Sequence, residues 1–352
     1  MRGTLEKVGF TVSKPLNMRS ISFDIVARRD KTLLLIKILS NVDAFSKDNS
    51  EEVKTLAEAL GGSPLLVGER SGAGEIEQGI VYSRFNVPIL ALSTLKDLLL
   101  EEVPPFIFAA PGGLYVKLDS DLLKRLREEK SISLGNLAEV AGVSRRTIQM
   151  YETGMGAMID VAIRLEEYLE HPIVLPVDPL HYKPEVSERP KVNIEKYDEF
   201  TKEVFSILTG LGLTITPTQK CPFEALTVDH DMLILTGLGK DDTKIREKAR
   251  VVADISVVTG RESVIFIEKV RSHQSMEGTA LIGRDELQKI QESEKLRALE
   301  EIWEDLGREP EAIPSPAWHA DVLAAREDRI RAGTSQFADW AEAKRRIQDR
   351  TR

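Results

Sequence analysis

Leu137-Ala138-Glu139-Val140-Ala141-Gly142-Val143-Ser144-Arg145-Arg146-Thr147-Ile148-Gln149-Met150-Tyr151-Glu152-Thr153-Gly154 reads as two short helices joined by a tight turn. Ser133 is a good N-cap for the first helix, which sets Leu134, Leu137 and Ala138 on one face. Gly142 breaks that helix and supplies the positive φ a tight turn needs. Val143 packs the turn, Ser144 caps the second helix and Gly154 ends it. Ala138 is small enough to let the two helices cross closely, and Ile148 is the inward residue of the second. An earlier helix is predicted over Leu122 to Arg127. Met158 to Leu169 closes the bundle with Ile159, Ala162, Ile163 and Leu165.

Outward from this helical stretch, strands alternate with helices on both sides. Phe10-Thr11-Val12, Ile21 to Ala27 and Thr32 to Leu39 read as strands, with Arg29-Asp30-Lys31 as a hairpin turn. A helix with Val53, Leu56, Ala57 and Leu60 follows and stops at Gly61-Gly62. Pro64 to Val67 and Val87 to Leu92 then read as buried strands. This order is that of an α/β sheet layer. The second half repeats it two hundred positions on. Phe223-Glu224-Ala225-Leu226 stands where Phe23-Asp24-Ile25-Val26 stood, Leu233 to Leu235 matches Leu33 to Leu35, and Ser263 to Ile267 matches Ser63 to Val67. With one gap, Leu211 to Ile215 echoes Val8 to Val12. A register kept over three strands predicts a duplication. The first copy is shorter at its start, because a full amphipathic helix from Tyr197 to Leu211 precedes the second and only Met1 to Val8 the first. His171-Pro172 and the prolines at 176, 179, 184 and 190 predict a stiff linker between bundle and second copy.

The chain has 352 residues, of which 42% are hydrophobic and 30% charged, as expected of a folded protein rather than a disordered one. No apolar run is long enough to span a membrane, and Met1-Arg2-Gly3-Thr4-Leu5-Glu6 has no apolar signal core. The one cysteine, Cys221, excludes an internal disulfide and a cysteine-built zinc site, so a reducing cytoplasm is expected. The net charge of -9 excludes a large basic surface and leaves room for a local nucleic-acid patch.

The run Leu137-Ala138-x-x-x-Gly142-Val143-Ser144-x-x-Thr147-Ile148-x-x-x-Glu152-x-Gly154 resembles the lambda-repressor/Cro-type helix-turn-helix over about fifty residues. More broadly, residues 1 to about 290 are similar to a family of archaeal helix-turn-helix transcriptional regulators, in which the DNA-binding bundle follows one α/β domain and precedes another. The resemblance implies that the third helix of the bundle enters the major groove, with Ser144, Arg145, Arg146, Thr147, Gln149 and Met150 at the DNA. Arginine can grip guanine, and glutamine adenine, through paired hydrogen bonds. Ser133 and the backbone beside it would hold a phosphate. The competing reading is a structural three-helix insert with a solvated arginine pair; constraints on both packing and turn residues favour the reading head. From Asp121 to His171 there are nine acids against seven bases, so a single head should bind weakly, and a homodimer with two heads would raise affinity.

Enzyme chemistry competes with this reading. Glu6, Asp24 and Lys37 fit parts of a PD-(D/E)xK nuclease core, which needs two acids for a metal and a lysine beside the attacking water. The second acid belongs at Leu35. In the second copy Glu224 stands for the Asp, and the remaining places are Leu235 and Gly237. The expectation is a catalytically dead nuclease-like fold used for packing or dimerisation, with no catalytic residue, metal or cofactor. Asp229-His230-Asp231 is a polar turn rather than a metal site, and His171, His181, His273 and His319 show no ligand spacing. Gly72-Ala73-Gly74 and Gly237-Leu238-Gly239-Lys240 lack the phosphate-loop pattern, and Cys221 reads as a small packed residue.

The last fifty residues hold all three tryptophans, a step in composition that marks a separate module. Leu296, Leu299, Ile302, Trp303 and Leu306 make a helical stripe ended by Gly307; Pro310, Pro314 and Pro316 make an extended link. A second helix runs from Ala317 to Arg331, and a third carries Phe337, Trp340, Ala343 and Ile347. Leu299-Glu300-Glu301-Ile302-Trp303-Glu304-Asp305-Leu306, Ser315-Pro316-Ala317-Trp318-His319 and Trp340-x-x-Ala343-Lys344 resemble the small antitoxins of bacterial addiction modules. That resemblance implies a segment that wraps a small toxin, with Trp303, Trp318 and Trp340 as anchors. Docking of these helices on the preceding domain is the alternative.

The expected architecture is α/β plus all-α, with two duplicated nuclease-like α/β domains flanking a helix-turn-helix bundle, and a helical tail. Its parts are residues 1–115, 116–172, a Pro-rich linker 173–192, 193–291 and the tail 292–352. The expected function is sequence-specific, dimeric DNA binding that regulates transcription. The alternatives are an antitoxin-like protein with autoregulatory DNA binding and a metal-dependent nuclease.

Overall fold

The largely apolar run Thr32-Leu33-Leu34-Leu35-Ile36-Lys37-Ile38-Leu39 forms an interior strand of the first half, buried on both faces over Leu33 to Ile36. The computed structural model describes residues 1–16, 21–184, 197–229, 232–240, 242–268, 275–276, 279–291 and 293, together with 324, 327, 328, 331 and 332. Residues 1–289 form one compact unit. None of its described helices is long and apolar enough to cross a membrane.

The first half opens with α1 (Arg2–Lys7), β1 (Thr11–Val12), β2 (Ile25–Arg29) and β3 (Thr32–Asn41). Asp30, at φ 52°, turns the β2–β3 hairpin where a polar turn is predicted. α2 (Lys47–Leu60), capped by Ser46 and ended by Gly61 at φ 69°, crosses to β4 (Ser63–Ser71), which runs parallel to β3. Then come β5 (Gly74–Glu75), β6 (Ile80–Arg84), β7 (Val87–Leu90) and α3 (Leu92–Leu100). Leu92 starts this helix rather than ending a strand.

β8 (Ile107–Ala110) and β9 (Gly113–Leu118) form a hairpin that the sequence reading passes over. It carries the sheet into the helical bundle: α4 (Ser120–Glu129), α5 (Leu134–Ala141), α6 (Arg145–Tyr151), β10 (Ala157–Met158), α7 (Ile159–Leu169) and β11 (Val174–Leu175). β8 pairs with β6, and β10 and β11 both pair with β9, so the strand order is β1-β2-β3-β4-β7-β6-β8-β9-β10. The bundle is therefore sewn into the sheet. The boundary between residues 115 and 116 falls inside β9, and Met158 lies in β10, not in the helix after it. The stretch after residue 173 starts as a packed strap: Val177 and Leu180 are buried against the first half, and Val177 N–H donates to the Pro105 carbonyl.

The second half holds α8 (Glu199–Gly210), β12 (Thr214–Pro217), β13 (Ala225–Asp229), β14 (Met232–Gly239), α9 (Asp242–Thr259), β15 (Glu262–Ile267), β16 (Ser275–Met276) and β17 (Thr279–Gly283). Its order, β12-β13-β14-β15-β17-β16, has the same sequence of antiparallel and parallel pairings as β1-β2-β3-β4-β7-β6. Asp229 pairs with Met232 across a two-residue turn; His230 and Asp231 lie outside the described residues.

The two halves share a core. Phe23, Leu35, Phe45 and Leu56 from the first half and Phe223, Leu235, Val252 and Ile255 from the second belong to one buried cluster. The carboxylate of Glu52, on α2, accepts the Gln219 and Lys220 amides at 2.7 and 2.8 Å and the Ser22 hydroxyl at 2.7 Å. In return, Asp254 on α9 accepts the Lys14 amide at 2.6 Å. A second, smaller unit covers residues 290–352; in it residues 324, 327, 328 and 331 are helical, and Arg331 lies 3.7 Å from both Glu327 and Asp328.

Candidate nucleic-acid interface

The helix-turn-helix rests on local capping. The Ser133 hydroxyl accepts the Asn136 amide and the Ser144 hydroxyl accepts the Thr147 amide, both at 3.1 Å. Gly142 takes φ 70°, and its N–H closes α5 on the Glu139 carbonyl. Leu137, Ala138, Ala141 and Ile148 are buried in the bundle core.

Ser144, Arg145, Arg146, Gln149 and Met150 are exposed along α6 and its cap, and Thr147 is half-buried. Ser133 is exposed at the start of α5. The two arginines have no ion-pair partner among the described residues, so their guanidiniums are free to meet an acceptor. Arg145 reaches across to α5, where Gly135 makes room for it: a Cβ there would stand 3.0 Å from a guanidinium nitrogen. Trp303, Trp318 and Trp340 lie outside the described residues.

What holds α6 at its far end was not read from the sequence. Arg127 on α4 grips Glu152 with two hydrogen bonds, Nε to Oε1 at 2.5 Å and Nη2 to Oε2 at 3.1 Å, in a pair largely hidden from solvent. The hydrogen bond to Glu152 raises the Arg127 pKa further. Ser120 Oγ donates to the Tyr151 carbonyl at 2.6 Å, and Arg164 caps α5 through the Ala141 carbonyl. Glu152 was legible as a motif position. Its partner, twenty-five residues away, carried no signal of its own.

Of the nuclease-like candidates, Asp24 and Lys37 come together. Lys37 Nζ lies 2.9 Å from Asp24 Oδ1, and Asp24 Oδ2 accepts the Ile38 amide at 2.7 Å. Leu35, where the sequence reading looks for a second acid, is fully buried on β3. Glu6 sits on α1 in a surface pair with Arg2. In the second half Glu224 accepts the equivalent amide, from Leu238 at 2.6 Å, and pairs with Lys248 of α9, Leu235 being buried. Burial pushes the Glu224 carboxyl up against the pull of Lys248. No group of three or more His, Cys, Asp or Glu that could hold a metal gathers among the described residues. Cys221 is buried, with its thiol pushed well up by burial and by Glu52.

Three family models match parts of the chain: "PD-(D/E)XK superfamily domain" over residues 1–105, "Helix-turn-helix" over 123–173 and "Putative addiction module component" over 291–343. No solved structure matches. A protein of Natronomonas pharaonis is 40% identical over 298 residues, covering 84% of this chain and 94% of its own. One of Halorubrum lacusprofundi is 41% identical over 299 residues (84% and 93%), and one of Methanosarcina acetivorans 39% over 301 (83% and 92%). All three carry the name "Putative HTH-type transcriptional regulatory protein". At this identity and coverage, the chain belongs to that family of helix-turn-helix transcriptional regulators.

Proposed function

We propose that the chain is a sequence-specific DNA-binding regulator of transcription that inserts α6 into the major groove in the lambda-repressor/Cro manner. The observation that carries this is the exposed row Ser144, Arg145, Arg146, Gln149 and Met150 on a helix fixed at both ends. Thr147 lines its edge and Ser133 offers a phosphate contact from α5. Each two-pronged arginine–guanine contact is worth ~1–3 kcal/mol of discrimination. Arg145→Ala with Arg146→Ala should therefore abolish specific retardation in a gel-shift assay while the melting temperature stays put. Unchanged specific affinity would remove α6 from the groove.

In this reading each chain carries one reading head, so the active form is a homodimer on a two-fold operator, working in the cytoplasm. The α/β halves are a duplication in which neither copy cleaves DNA. Matching strand order, the paired Asp24 and Glu224 geometries and the reciprocal Glu52 and Asp254 contacts support the duplication. Leu35, Leu235 and Gly237 in place of metal-binding acid and lysine support the loss of cleavage. The expected parts remain a first α/β domain to residue 115, the bundle to 172, a linker to 192, a second α/β domain to 291 and the tail.

A second reading rests on the addiction-module match over residues 291–343. Here the tail holds a small toxin through Trp303, Trp318 and Trp340, and DNA binding by the rest regulates the shared operon. Co-expression with a toxin of this class should give a complex that survives size-exclusion chromatography. Deletion of 292–352 should abolish it and leave gel-shift activity intact; a complex that persists without the tail would sink the assignment.

A further inference from the structure

A cavity of about 490 Å³ opens where the β2–β3 turn, the end of α2 and the strap leaving the bundle meet. Its floor is apolar, from Leu33, Ala57 and Leu180, and its rim carries Lys31 and Lys183. A smaller cavity of about 180 Å³ shares Lys31, Leu33 and Gly61 with it and adds Arg28 and Arg261. Four cationic side chains thus line these two adjoining cavities in a chain whose net charge is -9, and among the described residues Glu58 is the one acid lining either. Arg28 is engaged by the Thr259 carbonyl, where it neutralises the end of α9. Lys31, Lys183 and Arg261 have no side-chain hydrogen bond or ion pair among the described residues. They lie where α2 ends at Gly61 and α9 at Thr259, yet unlike Arg28 none of their side chains is hydrogen-bonded to a terminal carbonyl among the described residues.

The wall is preorganised. His181 Nδ1 donates to Asp178 Oδ2 at 2.8 Å, and its Nε2 stands 2.8 Å from the Thr32 hydroxyl, which ties the strap to the start of β3. At Gly61, which takes φ 69°, a Cβ would meet nothing within 4 Å, so the recess there is bounded by bare backbone that a ligand can approach. The larger cavity alone has the size of a small-molecule site, with an apolar body region and charged groups at one side.

We propose that this recess binds a phosphate-bearing small molecule of nucleotide size, with the phosphates held by Lys31, Lys183 and Arg261 and the body laid on Leu33, Ala57 and Leu180. The concave, apolar-floored shape favours such a ligand over a duplex backbone, which would meet the same cations on a convex or flat face. The cations come from the first half, the second half and the strap, so an occupant contacts all three.

Titration calorimetry of the full chain tests this, with ATP and sodium pyrophosphate as the probes. Saturable binding of ATP is expected. It should weaken at least tenfold in Lys31→Ala with Lys183→Ala, recover in Lys31→Arg with Lys183→Arg, and persist in Arg145→Ala with Arg146→Ala. Tighter binding of ATP than of pyrophosphate marks a ligand that uses the apolar floor; equal binding marks one recognised by phosphate alone. No heat with either probe, or equal affinity in the lysine-to-alanine variant, overturns the proposal. So does a loss of duplex binding in that variant with ATP binding unchanged, which assigns the cations to DNA. Both lysines are exposed, so the variant should melt with the parent.

Discussion

At the scale of single residues, the bundle depends on one charge pair that is hidden rather than displayed. Arg127 and Glu152 keep only 13% and 9% of their side-chain surface in solvent. A charge left there without its partner is costly, whereas a matched apolar replacement of both need not be. Arg127→Ala should therefore destabilise the bundle by ~3 kcal/mol, read as an early unfolding step in a denaturant titration. Arg127→Met with Glu152→Leu should restore much of that loss. If the single and double variants unfolded alike, the pair would be a bystander. Arg145 and Arg146 present the opposite case: exposed, and without an ion-pair partner among the described residues. The motif marks Arg145 and Arg146 as outward, but nothing in the sequence marks Arg127 as the paired one. Exposure separates them, and exposure is a property of the packed bundle.

At the scale of elements, what was legible was what is locally determined. Caps, a positive-φ glycine and helical spacing placed α5 and α6 to within a residue, because each feature acts over four residues or fewer. β1 to β4, β7 and β12 to β15 were legible through their apolar runs, whereas β5, β6, β16 and β17 were not. β8 and β9 were passed over although Pro111-Gly112-Gly113 marks their turn, and the two-residue strands β10 and β11 exist only because β9 offers them an edge. Such pairings are set by tertiary contact and leave no periodic trace. Capping recurs in the second half, where the Asp198 carboxylate accepts the Thr201 amide at 2.9 Å and pairs with Lys240 at 3.0 Å. Burial pushes that carboxyl up, yet the Thr201 and Lys240 interactions outweigh it and hold the group below its ordinary value. A lowered carboxylate contributes stability above its unfolded value and loses it as pH falls through the folded one. Asp198→Ala should thus cost ~1 kcal/mol at neutral pH, a drop of about 2 °C in melting temperature. The gap between variant and parent should close as the pH is taken below the ordinary aspartate range. A gap independent of pH would mean that the helix is held by packing alone.

At the scale of the whole molecule, the sequence showed two matching halves but not that they fold onto each other. The reason lies in α2. Ser50, Glu52, Lys54 and Thr55 look like a solvated face, yet all four are buried. Ser50 is satisfied by the Phe85 carbonyl and Lys54 and Thr55 by Glu51, all within the first half, but Glu52 lies at the contact between the halves, where its carboxylate satisfies backbone donors that a lone domain would leave to water. The consequence is cooperative: the halves share one apolar cluster, so neither should unfold alone. Glu52→Ala strips acceptors from the Gln219 and Lys220 amides and the Ser22 hydroxyl at once, and a buried donor without an acceptor costs ~1–3 kcal/mol. The expected loss is roughly 3 kcal/mol or more, felt by residues 1–289 as a single transition moved to lower temperature in scanning calorimetry. Glu52→Gln keeps one carbonyl oxygen for the two amides and should recover most of the difference. Two separated heat peaks, with only one displaced in Glu52→Ala, would mean that the halves are independent beads and that the bundle is attached to one of them alone.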